Sequence, residues 1–163
     1  MIAPERYSSR LAYQARVQRI WAAGNDAPHG VRTFGRRTLV PVARNGVMRN
    51  LQIIEPDGAA RFLTPGKTRG CCHLIGLPAA LILVAAEYAV ATGLHEATGR
   101  AVAVCFDAGN MPHVIRRMWC EYALPVVAVT PEFDRGIESA ARAFGGLSSV
   151  DIELRPWIER GGR

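Results

Sequence analysis

Two rhythms of apolar residues divide the chain. In residues 5–23, Leu11, Ala15, Val17, Ile20 and Trp21 recur at approximately helical spacing among Arg, Ala and Gln, which predicts a basic amphipathic helix. "AAGNDAPHG" (22–30) is punctuated by Gly, Asn, Asp and Pro and reads as a loop. Short runs of strand character follow. "RTLVPVA" (37–43) breaks at "RNG", "MRNLQIIE" (48–55) at "PDG", and "ARFL" (60–63) at "TPGKTRG". Asn45-Gly46 and Asp57-Gly58 are turn dipeptides between apolar runs. Residues 37–76 therefore read as a small antiparallel meander.

After Pro78 the period changes. "LILVAA" (81–86) precedes a helix over 88–98, "AVAVCF" (101–106) a helix over 111–122, and "PVVAV" (125–129) a helix over 136–144. Strands that are apolar throughout and rich in Val suit a parallel sheet covered on both faces. Successive strand–helix units imply right-handed crossovers. "DIELRPWIERGGR" could add a short final strand and a tail. The expected class is α/β, organised as a basic helix and linker (1–28), a small β-rich subdomain (29–76) and an α/β domain (77–163).

Composition narrows the possibilities. Half of the 163 residues are hydrophobic, enough for a core. No apolar run nears the roughly 20 residues of a membrane span, and the N-terminal segment has no signal-like apolar stretch, so a cytoplasmic protein without membrane partners is expected. The net charge is +6, with nearly all cations arginine. Arginine forks onto phosphate, which points to nucleic acid; solubility alone is the plainer explanation. The four cysteines form no C-x-x-C pair. Cys105 and Cys120 read as small hydrophobes, and Cys71-Cys72-His73 lacks a further ligand at zinc or soft-metal spacing. His29, His73 and His113 are scattered, and His95-Glu96, adjacent on a helix, cannot share a face.

In an open parallel sheet, chemistry gathers at the carboxyl ends of the strands. Those ends carry Glu87, then Asp107 and Asn110, then Thr130 and Glu132, with Asp134 beyond. Acids there could hold a divalent cation. Alternatively, Asp107 caps the turn that follows it and Glu132 is a solvated first-turn acid.

"HGVRTFGRRTLVPVARNGVMRNLQIIEPDGAARFL" (29–63), "GCCHLIG" (70–76), "LHEATG" (94–99) and "AVAVCFDAGN" (101–110) resemble the Toprim region of plasmid- and phage-type DNA primases. The resemblance covers approximately residues 12–147. It implies a compact Toprim-like α/β fold with a parallel sheet. In active members it implies a Glu at the end of the first strand for acid–base work and an Asp-x-Asp at the end of the third for magnesium, which together support primer synthesis. The chain departs at both places. Aligned through Tyr88, the family's Glu-Gly-Tyr-Ala-Thr meets Ala86-Glu87-Tyr88-Ala89-Val90, so the Glu falls on Ala86. Neighbours at a strand end point to opposite faces, so Glu87 does not simply replace it. Asp-x-Asp meets Thr130-Pro131-Glu132. "TPGKTRG" (64–70) lacks the full phosphate-loop pattern.

The resemblance and its departures imply a primase-like protein of a mobile element without catalysis. It would bind single-stranded DNA or other nucleic acid through Arg10, Arg16, Arg19, Arg36, Arg37, Lys67, Arg69, Arg116 and Arg117. A solvated helix face is the competing explanation for Arg116-Arg117. Such a protein needs no cofactor. A surviving primase would use Glu87, Asp107 and Glu132 as catalytic residues and Mg2+ held by Glu132 and Asp107. A third class is a repurposed fold that binds a protein partner, to which Trp119 and Trp157 would contribute if exposed rather than packed against helices.

Overall fold

In the computed structural model, residues 4–66, 68–130 and 147–148 are described, with backbone alone for 4–8 and 147–148. The chain divides into two compact units, Met1–Thr68 and Arg69–Arg163.

The first unit opens with helix α1 (Pro4–Ala23). Its buried stripe runs through the half-buried Tyr13, the fully buried Val17, and the half-buried Ile20 and Trp21. The expected stripe began at Leu11 and Ala15, and both are exposed. They lie well over 90° around the helix from Val17, outside the face that meets the sheet. Five antiparallel strands follow in chain order: β1 (Asn25–Ala27), β2 (Val31–Phe34), β3 (Arg37–Arg44), β4 (Val47–Ile54) and β5 (Ala60–Phe62). β1 lies inside the expected loop 22–30, and β2 precedes the expected meander. Neither shows the alternation from which a strand is read.

The β3–β4 hairpin turns at Asn45-Gly46, both with positive φ, as a two-residue turn matched to strand twist requires. Its register shifts between Val42 and Ala43. At the next connection the Asp57 carboxylate accepts from Ala59 N at 3.0 Å. Tyr13 donates its hydroxyl to the Arg49 carbonyl at 2.8 Å, which ties α1 to β4.

The second unit is a mixed sheet in the order β10–β9–β7–β8–β6. Strands β7 (Ile82–Ala85), β8 (Ala101–Val104), β9 (Val126–Val129) and β10 (Leu147–Ser148) are parallel. β6 (His73–Ile75) is antiparallel to β8, so the segment expected to end the meander joins this sheet instead. The expected all-parallel sheet is thus parallel at its centre and antiparallel at one edge, and the first unit's sheet is antiparallel throughout. All four residues of β7 and of β8 are buried, as their continuous apolar character requires.

Helix α2 (Tyr88–Thr98) buries Ala91, Leu94 and Thr98, and α3 (Met111–Tyr122) buries Met111, Val114, Ile115 and Met118, both at helical spacing. On one sheet face Ile82, Val84, Ala103, Cys105, Val126 and Ala128 pack with that α3 stripe. Each fully buried Val or Ile there contributes roughly 1.5–3 kcal/mol, so this face is a major source of cohesion. The expected helix 136–144, a strand within 151–163, and Trp157 lie outside the described residues.

"LHEATG" is a helix terminus. The Gly99 N–H donates to the His95 carbonyl at 2.8 Å, His95 Nδ1 donates to Arg100 O at 2.7 Å, and Thr98 Oγ1 donates to Leu94 O at 2.6 Å while accepting from Arg100 N. Gly76 packs against the same histidine: a Cβ there would meet His95 Cε1 at 2.6 Å, whereas one on Gly99 would meet nothing within 4 Å. Both glycines have positive φ. Gly99→Ala should cost about 1–2 kcal/mol from backbone strain alone, and Gly76→Ala about 1–3 kcal/mol more from the clash. Denaturant unfolding of the two variants checks the order; equal losses would refute the contact.

Candidate functional site

β7 lies between β8 and β9. The chain leaves β7 through α2 toward β8, then crosses back through α3 to β9 on the other side. The carboxyl ends of β7 and β9 therefore flank the point where the connections diverge, the place where open α/β sheets form their binding crevice. Ala85 pairs with Val129, so the next residues at this crevice are Ala86 and Thr130. Ala86 is partly buried and packs against the apolar face shared with α3, and Thr130 is half-buried. Glu87 occupies the neighbouring position, exposed, with extended backbone as the N-cap of α2. Its side chain makes no capping hydrogen bond, and its carbonyl accepts from Ala91 N at 2.9 Å.

Asp107 follows β8 and is exposed. One of its carboxylate oxygens accepts from Asn110 N at 2.8 Å, so it caps the 3-10 turn Ala108–Asn110 that leads into α3. The turn is set up by Phe106, whose φ is +73°. Asn110 itself is buried. Its amide nitrogen donates to Cys71 O at 2.9 Å and Cys105 O at 2.8 Å, and its oxygen accepts from Gly70 N at 2.7 Å. One side chain thus ties the 70–71 segment to the end of β8. Arg117 reaches the same segment: Nη1 donates to Gly70 O at 2.9 Å, and Nε lies 3.4 Å from the Glu121 carboxylate.

Among the described residues these side chains do not assemble a magnesium site. Among the described residues no group of three His, Cys, Asp or Glu side chains is placed to hold a metal ion. Glu87 and Asp107 end neighbouring strands, but one Asp107 oxygen is engaged by Asn110, and Ala86 and Thr130 bring no carboxylate to the crevice. Glu132 and Asp134 lie outside the described residues. Cys71, Cys72 and His73 are buried. Burial pushes the Cys72 thiol up to about 11 despite the opposing pull of Arg117 nearby, and burial with the Asp107 carboxylate pushes Cys105 up to about 12. Metal binding needs thiolates, which these environments disfavour.

The arginines expected to meet nucleic acid lie on several elements in each unit. On α1, Arg16 and Arg19 lie away from the buried stripe, while Arg10 lies in line with it two turns nearer the N-terminus; all three are exposed. Arg36 is exposed in the β2–β3 turn, and Arg37 Nε pairs with the Glu55 carboxylate at 2.8 Å. Arg69 and Arg116 are exposed, Arg117 is largely covered, and Lys67 lies outside the described residues. Trp119 is 42% exposed on α3 rather than packed away. Sequence reasoning passed over Phe34, an exposed aromatic beside Arg36; the signal was the aromatic-glycine-arginine run of the turn.

Two proteins of Escherichia coli, both named DNA primase TraC, are similar to this chain. One is 33% identical over 152 residues, covering 80% of this chain and 10% of the relative; the other is 30% identical over 137 residues, covering 72% and 13%. The chain spans about a tenth of the length of these curated relatives. No family model and no solved structure matches it. Most of the chain is thus homologous to a short stretch of DNA primases.

Three outcomes follow from the site's packing. Asn110→Ala leaves three buried backbone groups without their partner and should cost about 2–4 kcal/mol, against about 1 kcal/mol for Asp107→Ala, as read by denaturant unfolding. The raised thiols of Cys72 and Cys105 stay protonated in the folded state after the unfolded chain begins to ionise. Their contribution to stability is therefore full below about pH 9 and is lost as the pH rises toward 11–12. Of the four cysteines only the exposed Cys120 should react quickly with a thiol reagent at neutral pH; rapid labelling of Cys72 or Cys105 would contradict the packing.

Proposed function

We propose that this chain is a primase-like Toprim protein that binds single-stranded nucleic acid without synthesising primers. Support for a primase origin comes from the similarity to the two DNA primases, and support for lost catalysis from one observation. The two positions flanking the sheet's crevice are Ala86 and Thr130, and Ala86 is partly buried against the apolar core. A nucleotidyl-transfer site needs carboxylates converging there to hold magnesium and neutralise phosphate charge. Losing one such carboxylate generally removes most of the rate. Binding needs less. Exposed arginines neutralise phosphates without reading sequence, and the net charge of +6 favours the encounter. A mobile-element setting, plasmid or phage, follows from the resemblance of the chain's segments to that class of primase. In this reading the protein needs no cofactor.

The test is twofold. Anisotropy of a labelled single-stranded oligonucleotide should report binding that weakens steeply with salt, the slope of log K against log salt being about −0.7 per phosphate contacted. The same protein, given a single-stranded template, ribonucleotides and magnesium or manganese, should make no primer, and Glu132→Ala should leave magnesium binding unchanged. Primer synthesis abolished by Glu87→Gln or Glu132→Ala would instead establish an active primase. A stable protein complex with no oligonucleotide binding would establish an interaction protein.

A further inference from the structure

The β2–β3 connection is a two-residue turn, Gly35-Arg36, between Phe34 and Arg37, which pair across the hairpin. Gly35 has φ +60°, a conformation in which other residues are strained, and a Cβ added there would meet nothing within 4 Å. The turn is therefore open above the glycine. Beside it lies a depression of about 260 Å3 lined by Phe34, Gly35, Arg36, Arg37, Glu55 and Pro56. That is below the roughly 300–1,000 Å3 of sites that enclose a small molecule, and suits a ledge on which a flat group is laid. Phe34 is 46% exposed. A large aromatic at the tip of a hairpin thus leaves close to half of its surface open to solvent.

The charge around the ring is organised. Glu55 receives the Arg37 guanidinium on both oxygens, at 3.0 and 2.8 Å, and lies 3.7 Å from Arg61 Nη2. One carboxylate therefore orients two arginines, while Arg36 extends from the turn. Among the lining residues two arginines face one acid, and Glu55 holds Arg37, the cross-strand partner of Phe34. An aromatic face edged by arginines is the combination that binds single strands: the base stacks on the ring, and the cations take the adjoining phosphates. A duplex hides its base faces in the stack, so the exposed ring selects an unpaired strand.

We infer that the β2–β3 tip is a stacking site for one unpaired base of a single-stranded nucleic acid, with Phe34 as the platform and Arg36 on the neighbouring phosphate. This rests on the nucleic-acid-binding reading above and adds the residue that touches a base. Stacking on a ring is sequence-tolerant, so the site would hold a strand without selecting a sequence.

The experiment uses the full chain and a labelled oligothymidylate. Phe34→Ala should weaken binding about tenfold, in line with the loss of one stacked base, and leave the salt slope unchanged. Phe34→Trp should restore it. Arg36→Ala should weaken binding and flatten the salt slope by about one phosphate's share. An oligonucleotide with abasic sites throughout should bind the natural chain and Phe34→Ala equally. Because Phe34 and Arg36 are exposed, the variants should keep the parent's unfolding midpoint. If the natural chain binds the oligonucleotide and Phe34→Ala binds as well, the stacking site is wrong while the broader reading stands. If the natural chain does not bind at all, both fall. Equal loss of affinity for abasic and normal strands in Phe34→Ala would also overturn the inference, since it would place the ring's role in the fold.

Discussion

Strands β7 and β8 and most of β9 are closed to water on both faces, and that constraint governs the rest of the second unit. A sheet so buried can carry polar chemistry only where its strands end. The strand order brings the ends of β7 and β9 together, so the character of two adjoining positions decides whether a charged site exists. At one of them a methyl group continues the apolar face that holds α3. The acid beside it is exposed and belongs to the start of α2.

The opposite end of the same logic is visible after β8. Asp107 and Asn110 sit where a metal-binding pair could sit, but the packing commits them to the fold. One Asp107 oxygen closes the turn, and all three hydrogen bonds of the Asn110 amide go to the backbone, holding Gly70 and Cys71 against the end of β8. The histidine of the 94–100 segment is similarly committed to Arg100 O and to the space left by Gly76. The stretches that resemble primases thus hold residues whose demands are architectural. A fold kept by such residues does not depend on the side chains at the crevice, so similarity to a primase over these stretches says more about architecture than about chemistry.

Much of this was legible in the chain. The helices over 88–98 and 111–122 lie where periodicity puts them, because each buries a regular stripe, and the Asn45-Gly46 turn forms because the dipeptide tolerates the backbone it requires. The three continuously apolar runs became the parallel centre of the sheet. What escaped is what local pattern does not encode. β1 and β2 are strands because a neighbouring strand pairs with them, and β6 joins the second sheet through its long-range partner β8. The helical stripe of α1 was misplaced by counting Leu11 and Ala15, which are apolar but have nothing to pack on. The roles of Asn110 and Arg117 depend on partners about forty residues away in sequence, which spacing cannot reveal.

The distribution of charge makes the same point about function. A net positive charge treats every arginine alike, but several here are spent inside the molecule. Arg32 lies 4.7 Å over the Trp21 ring, donates to the Trp21 carbonyl and pairs with Asp26. Arg117 is held between Gly70 and Glu121. Arginines fixed in this way contribute to long-range attraction but have little freedom to reshape around a phosphate. In the proposed reading contact comes from arginines on exposed turns and helix faces, and in the first unit the β2–β3 tip adds to such a residue an aromatic ring close to half exposed. A site is distinguished from a merely basic surface by that second ingredient, because charge alone holds a strand at any register while a ring gives a base somewhere to rest.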